Sequence, residues 1–215
     1  MSKFYLTLEA PAEGLYREKG SKFLAYAYPV KDVQEVHEII RHIKSRHPKA
    51  RHYCYAYRLG TEGNIHRHND DGEPSGTAGK PILGQIDSYH LTNTLVIVVR
   101  YFGGKLLGTS GLIRSYRECA QDAINQAKII KKEIRLRWKV AFDFSIMGIL
   151  LHSLSSLPIE IEEKDLRANP YLIISTSIDG FDQTLDTLIA RALQIHEEQV
   201  MGKRSFDPIT VTAIK

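Results

Sequence analysis

The sequence predicts an α+β protein in two domains. Three observations point there. Thr94 to Tyr101 carries an unbroken Leu-Val-Ile-Val-Val run, apolar on both faces, as expected of a strand at the centre of a sheet. A glycine-rich loop and a helical stripe follow it directly. Beyond residue 133, strand-type and helix-type segments alternate as βαββαβ, the ferredoxin-like split arrangement. The charged segment 128–133 separates the two parts, so the expected domains are residues 1–130 and 134–215.

In chain order, Ser21 to Val30 reads as a strand around Phe23. Asp32 then caps a helix, with Glu35 completing a D-x-x-E capping box. Val33, Val36, Ile40 and Ile43 repeat at helical spacing, and Pro48 ends the pattern. His52 to Leu59 is a tyrosine-rich strand, Gly60 to Gly63 a turn, and Ile65 to Asn69 the return strand. A short helix is expected over Lys80 to Asp87. After the central strand, Leu112, Tyr116, Cys119, Ala120, Ala123 and Ala127 mark one helical face. In the second part, strands are expected over Ile134 to Asp143, Ile159 to Leu166, Tyr171 to Ser177 and Ile209 to Ile214. Helices are expected over Ser145 to Ser156 and Phe181 to Ile195.

Charge is unevenly shared. Residues 1–133 hold 20 Lys+Arg against 14 Asp+Glu, while residues 134–215 hold 9 against 11, so +6 and −2 make up the overall +4. The first part is the one expected to meet phosphate-rich partners. No aliphatic run approaches the length of a membrane span, and the first fifteen residues lack a signal-peptide pattern. Cys54 and Cys119 are widely spaced and form no CxxC, which suits a reducing cytoplasm rather than a disulfide framework.

Two stretches concentrate glycine and charge. One runs from Asp70 to Pro81, the other from Arg100 to Gly111. The second joins a strand to a helix start, where outward N–H groups and the helix dipole favour an anion. Gly103, Gly104, Gly108 and Gly111 would let a phosphate sit against the backbone. Lys105 would supply a mobile charge, and Arg100 and Arg114 forked donors. Tyr101, Phe102 and Tyr116 could offer stacking faces, and Lys22 and Lys80 would widen the basic surface. Neither a Walker A loop nor a G-x-G-x-x-G fingerprint occurs. In the first stretch, Asp70, Asp71 and Glu73 could hold Mg²⁺, with His66 and His68 just upstream, or could simply build turns. Ser75 and Ser110 lack a G-x-S-x-G context, and Cys54 alternates with His52 on a strand rather than forming an evident catalytic pair. No catalytic residue and no cofactor is assigned.

These stretches resemble the signatures of the IMPACT family. The matching pieces are Lys19-Gly20-Ser21-Lys22-Phe23-Leu24-Ala25, Ala50 through Arg58, Asp70 through Leu83, and Val98 through Gly108 with Gly111 through Tyr116. The resemblance covers roughly residues 14–127, and the remainder fits the two-domain bacterial layout. It implies an N-terminal domain like domain 2 of ribosomal protein S5 and a ferredoxin-like C-terminal domain similar to one in elongation factor G. Eukaryotic members regulate translation through an extra N-terminal module with no counterpart in this sequence, so that mechanism is not carried over. The S5-like fold is shared with small-molecule kinases that have a glycine-rich phosphate loop. The expected function is a non-enzymatic, cytoplasmic RNA- or ribosome-binding protein, with regulation of translation as its expected role. The alternatives are a Mg²⁺-dependent enzyme acting on a nucleotide or phosphorylated metabolite, and a protein–protein adaptor working through the C-terminal sheet.

Overall fold

The computed structural model describes residues 3–214. Met1 and Lys215, the outer ends of the two expected domains, lie outside them. The fold is mixed α/β and divides into two compact units at Lys132 and Glu133, so that the last residue of the first unit's final strand already counts with the second.

The first unit contains β1 (Phe4–Leu8), β2 (Ala12–Glu18), β3 (Ser21–Pro29), α1 (Val33–Arg46), β4 (His52–Leu59), β5 (Ile65–Asn69), α2 (Gly79–Ser88), β6 (Thr94–Tyr101), α3 (Gly108–Gln126) and β7 (Ile129–Glu133). Five of these strands form an antiparallel sheet in the order β2-β3-β6-β4-β5. β6 is central and buried along nearly its whole length, as its two-sided apolar run requires. Strand alternation sends Tyr26, Leu95, Ile97 and Val99 to one face, where α1 covers them with Val36, Ile40 and Ile43. Phe23, Cys54, Val96 and Val98 face the other way, against Ile82 and Ile86 of α2 and Leu112, Tyr116 and Cys119 of α3. Asp32 caps α1 by accepting from the Glu35 N–H at 2.9 Å. Glu35 reaches back to the Lys31 N–H at 2.7 Å, one residue earlier than a standard capping box.

β1, β2 and β7 have no counterpart in the sequence reading. β1 pairs with β7 in a small separate sheet, so the charged 128–133 segment is largely a strand. β2 is an edge strand whose polar alternation hides its pairing. Gly14 within it was the available signal, because a Cβ there would lie 2.4 Å from the Ala123 nitrogen on α3.

The second unit contains β8 (Arg135–Phe142), α4 (Met147–Ser155), β9 (Ile159–Asp165), β10 (Tyr171–Ser177), α5 (Phe181–Leu193), β11 (Ser205–Phe206) and β12 (Ile209–Ile214). Its antiparallel sheet runs β11-β12-β8-β10-β9. Val140, Phe142, Leu172, Ile174 and Val211 pack with Leu150 and Leu154 of α4 and Leu185 and Leu188 of α5. A 3₁₀ turn, Phe144–Ile146, precedes α4 because Asp143 accepts the Ser145 N–H at 2.8 Å and draws in the first turn.

Gly14→Ala should force α3 off the sheet and lower stability by about 1–3 kcal/mol, as overpacking does, with the fold retained. Urea unfolding checks this.

Candidate functional site

The two glycine-rich stretches meet on the α3 side of the sheet. Arg100 leaves the end of β6 on the same face as Phe23, its cross-strand neighbour. Its side chain is 6% exposed and that of Glu73 is 4% exposed. Arg100 Nη1 donates to Glu73 Oε1 at 2.6 Å, and the Tyr116 hydroxyl donates to the same oxygen at 2.8 Å. Burial pushes the Tyr116 phenol far up, so it remains a donor. Cys54 Sγ lies 3.3 Å from the Tyr116 oxygen and 3.0 Å from the Asp70 carbonyl. Burial drives its thiol up as well, which favours the neutral thiol over the thiolate.

Arg100 is therefore not an exposed phosphate ligand, contrary to the sequence expectation; its charge is met inside the protein. Nothing in the sequence distinguished that partner from a ligand. Gly103 also has an internal use. A Cβ there would lie 1.9 Å from the Gly20 carbonyl carbon, so the 102–104 loop can pass the β2–β3 turn only as glycine. Its N–H is directed to Ser21 Oγ at 3.2 Å. Tyr101 and Lys22 are cross-strand partners on the opposite, α1-covered face. The Tyr101 hydroxyl shares a hydrogen bond with His47 Nδ1 at 2.8 Å, so its ring is fixed rather than offered for stacking.

The three carboxylates diverge. Asp70 accepts the N–H groups of Gly76, Ala78 and Gly79 at 2.8–2.9 Å, filling the N-terminus of α2 with an internal anion. Burial opposes its ionisation, but the three donors prevail and hold the carboxyl below its usual range. Asp71 accepts the Tyr53 N–H at 2.7 Å and lies 3.6 Å from Lys44. Glu73 is committed to Arg100 and Tyr116. Among the described residues no group of three His, Cys, Asp or Glu is placed to hold a metal ion. His66 and His68 stand exposed on the edge strand β5.

What remains open is the start of α3. Leu107 occupies the cap position and offers no side-chain acceptor. Among the described residues no hydrogen bond engages the backbone N–H groups of residues 104–110. Gly108, at φ +71°, holds a left-handed conformation with nothing within 4 Å of where a Cβ would stand. Gly104 is exposed, and Gly111 lies one turn into the helix, packed near Leu107. Lys105 is exposed beside these amides. Arg114 is exposed on α3 and close enough to Tyr16 to act on its phenol. Lys80, in the first turn of α2, lines a groove with Ile113 and Arg117 of α3. His52, Glu73, Arg100, Phe102, Gly108 and Thr109 share the walls of a separate cleft of about 420 Å³. His52 Nδ1 donates to the Asp71 carbonyl at 2.9 Å.

Glu73→Gln should cost about 3–5 kcal/mol, because it leaves the Arg100 charge buried without its counter-charge, and Arg100→Met added to Glu73→Leu should recover much of that loss. Chemical denaturation of the three proteins checks both. Asp70 contributes stability that is intact above its unfolded pKa of about 4 and disappears as pH falls through its lowered folded value. Asp70→Asn should therefore be less stable at neutral pH and show a flatter acid limb in a stability–pH series.

Residues 19–124 match the family model described as Impact N-terminal domain. An IMPACT family member of Haemophilus influenzae is 33% identical over 192 residues, covering 83% of this chain and 92% of that protein. IMPACT family member YigZ of Escherichia coli is 34% identical over 130 residues, or 60% of this chain and 64% of that one. A crystal structure of a protein described as hypothetical aligns with 100% of this chain and 99% of its own, at 24% identity and a TM-score of 0.76, and shows the same fold. Family model, relatives and the quoted signature residues agree: this chain belongs to the IMPACT family.

Proposed function

We propose that this protein binds RNA, on the ribosome or in transit to it, and acts there as a regulator of translation rather than as an enzyme. The observation that carries this is the unspent row of amides from Gly104 to Ser110 beside Lys105, at the uncapped start of a 19-residue helix. Such a terminus favours a phosphate through both its N–H groups and its dipole. Lys80, Arg114 and Arg117 extend positive charge along the exposed sides of α2 and α3. Lys22 stays outside this surface because strand alternation puts it on the α1 side.

The same proposal treats the first unit as S5 domain 2-like and the second as ferredoxin-like. The antiparallel order β12-β8-β10-β9, with α4 and α5 packed on the sheet, supports the latter. Buried, unpaired Cys54 and Cys119 support a cytoplasmic setting. Among the described residues no helix is long and apolar enough to cross a membrane. The Mg²⁺-dependent alternative loses support because Asp70, Asp71 and Glu73 each serve a different internal partner.

Ribosome co-sedimentation across a salt series tests the proposal. Association should weaken with salt, each neutralised phosphate contributing about −0.7 to −0.9 to the log–log slope. Lys105→Glu combined with Arg114→Glu should weaken binding and flatten that slope. Unchanged affinity in the folded double variant overturns the proposal, and salt-insensitive association would point instead to a protein partner, with the C-terminal sheet as its contact surface.

A further inference from the structure

The cleft at the start of α3 brings together more than free amides. Thr109 and Gly108 bring the first helical amides to one wall. Phe102 and Leu106 stand at the same cleft although they are 54% and 87% exposed, an unusual outlay of apolar surface on a charged loop. Arg100, 94% buried by its 6% exposure, lines it too, and its Nε is the one buried side-chain nitrogen or oxygen among the described residues without a hydrogen-bond partner. Its guanidinium lies 5.5 Å from the Phe102 ring. The internal network thus satisfies the charge of Arg100 but not its donor capacity. His52, whose Nδ1 donates to the Asp71 carbonyl, stands on the cleft wall as well.

An apolar, aromatic surface beside unspent amides fits a ligand with a flat ring at one end and a phosphate at the other. We propose that this cleft holds a single nucleoside monophosphate unit, its phosphate on the amides of residues 108–110 and its base against Phe102 and Leu106. This deepens the RNA reading and rests on it: the unit would be an unstacked nucleotide at an RNA end. A free mononucleotide carries the same chemistry, and the experiment separates the two sources. A cleft of about 420 Å³ is within the range of small-ligand sites, roughly 300–1,000 Å³, and too small for a duplex.

The probe is uridine monophosphate, titrated calorimetrically into the full chain beside uridine, inorganic phosphate and a short 5′-phosphorylated RNA. The monophosphate should bind at least ten-fold tighter than uridine or phosphate. Thr109→Glu puts a carboxylate where the phosphate would sit. A negative charge in the first turn favours the helix, so this variant should keep its fold and melting temperature while losing at least ten-fold in affinity for the monophosphate. Phe102→Ala should lose about ten-fold for the monophosphate, the scale of one base–aromatic stack, and leave phosphate binding unchanged. Monophosphate no tighter than phosphate, or affinity unmoved by Thr109→Glu, overturns the inference. RNA binding that depends on Lys105 and Arg114 but ignores Thr109→Glu would keep the RNA reading and sink the cleft. Tight monophosphate binding with no RNA binding would keep the cleft and sink the RNA reading.

Discussion

The buried ion pair between Glu73 and Arg100 is the contact on which the arrangement of the two glycine-rich stretches depends. Two ionised groups removed from water gain little net stability, because desolvation offsets most of their attraction. Their effect lies in specificity. Arg100 stands one residue before the end of the central strand, Glu73 lies in the first glycine-rich stretch, and Tyr116 on α3 donates to the same carboxylate oxygen. One oxygen thus ties three segments that are far apart in sequence. Any displacement of the 70–79 loop would strand a charge in an apolar setting, so the loop has one energetically acceptable position. The close passage of Gly103 over Gly20 adds a steric constraint of the same kind.

This arrangement gives the two neighbouring helix starts opposite fates. α2 begins on a loop that carries its own anion: the Asp70 carboxylate takes the Ala78 and Gly79 amides, and a further site there would meet a negative charge. α3 begins after Leu107, which has nothing to offer its first amides. Helix starts normally recruit Ser, Thr, Asp or Asn for this, at a gain of about 1 kcal/mol. Forgoing that gain beside an exposed lysine is the physical asymmetry that supports proposing an external anion at the second loop rather than the first.

Much of this was legible in the sequence, and the failures have identifiable causes. Strongly periodic segments, α1 and β6 above all, were readable because burial on one or both faces dictates residue type. β1 and β7 were not, since a short two-stranded sheet leaves only weak alternation. The glycines flagged both loops correctly as close-approach sites, yet could not say what approaches: at Gly103 it is backbone, while at Gly108 nothing occupies the space. Charged residues were the least legible. An arginine after an apolar strand looks the same whether its partner is a phosphate or a buried glutamate 27 residues earlier, and only the folded chain shows that Glu73 lies opposite.

Strand alternation then decides how the remaining surface is divided. Arg100 and Tyr101 are adjacent, so their side chains leave opposite faces of the sheet. One enters the pair with Glu73. The other joins His47, whose remaining ring nitrogen meets the Tyr26 hydroxyl at 2.7 Å on the α1 side. Burial, and then the neighbouring Arg46 charge, lower the His47 pKa, so the ring favours its neutral form in this tyrosine bracket. Both strand-end residues are thereby committed inward. Among the described residues, the chain just beyond Tyr101 is where backbone amides and the Lys105 ammonium stay free of internal hydrogen bonds, which is what supports proposing an outside contact there.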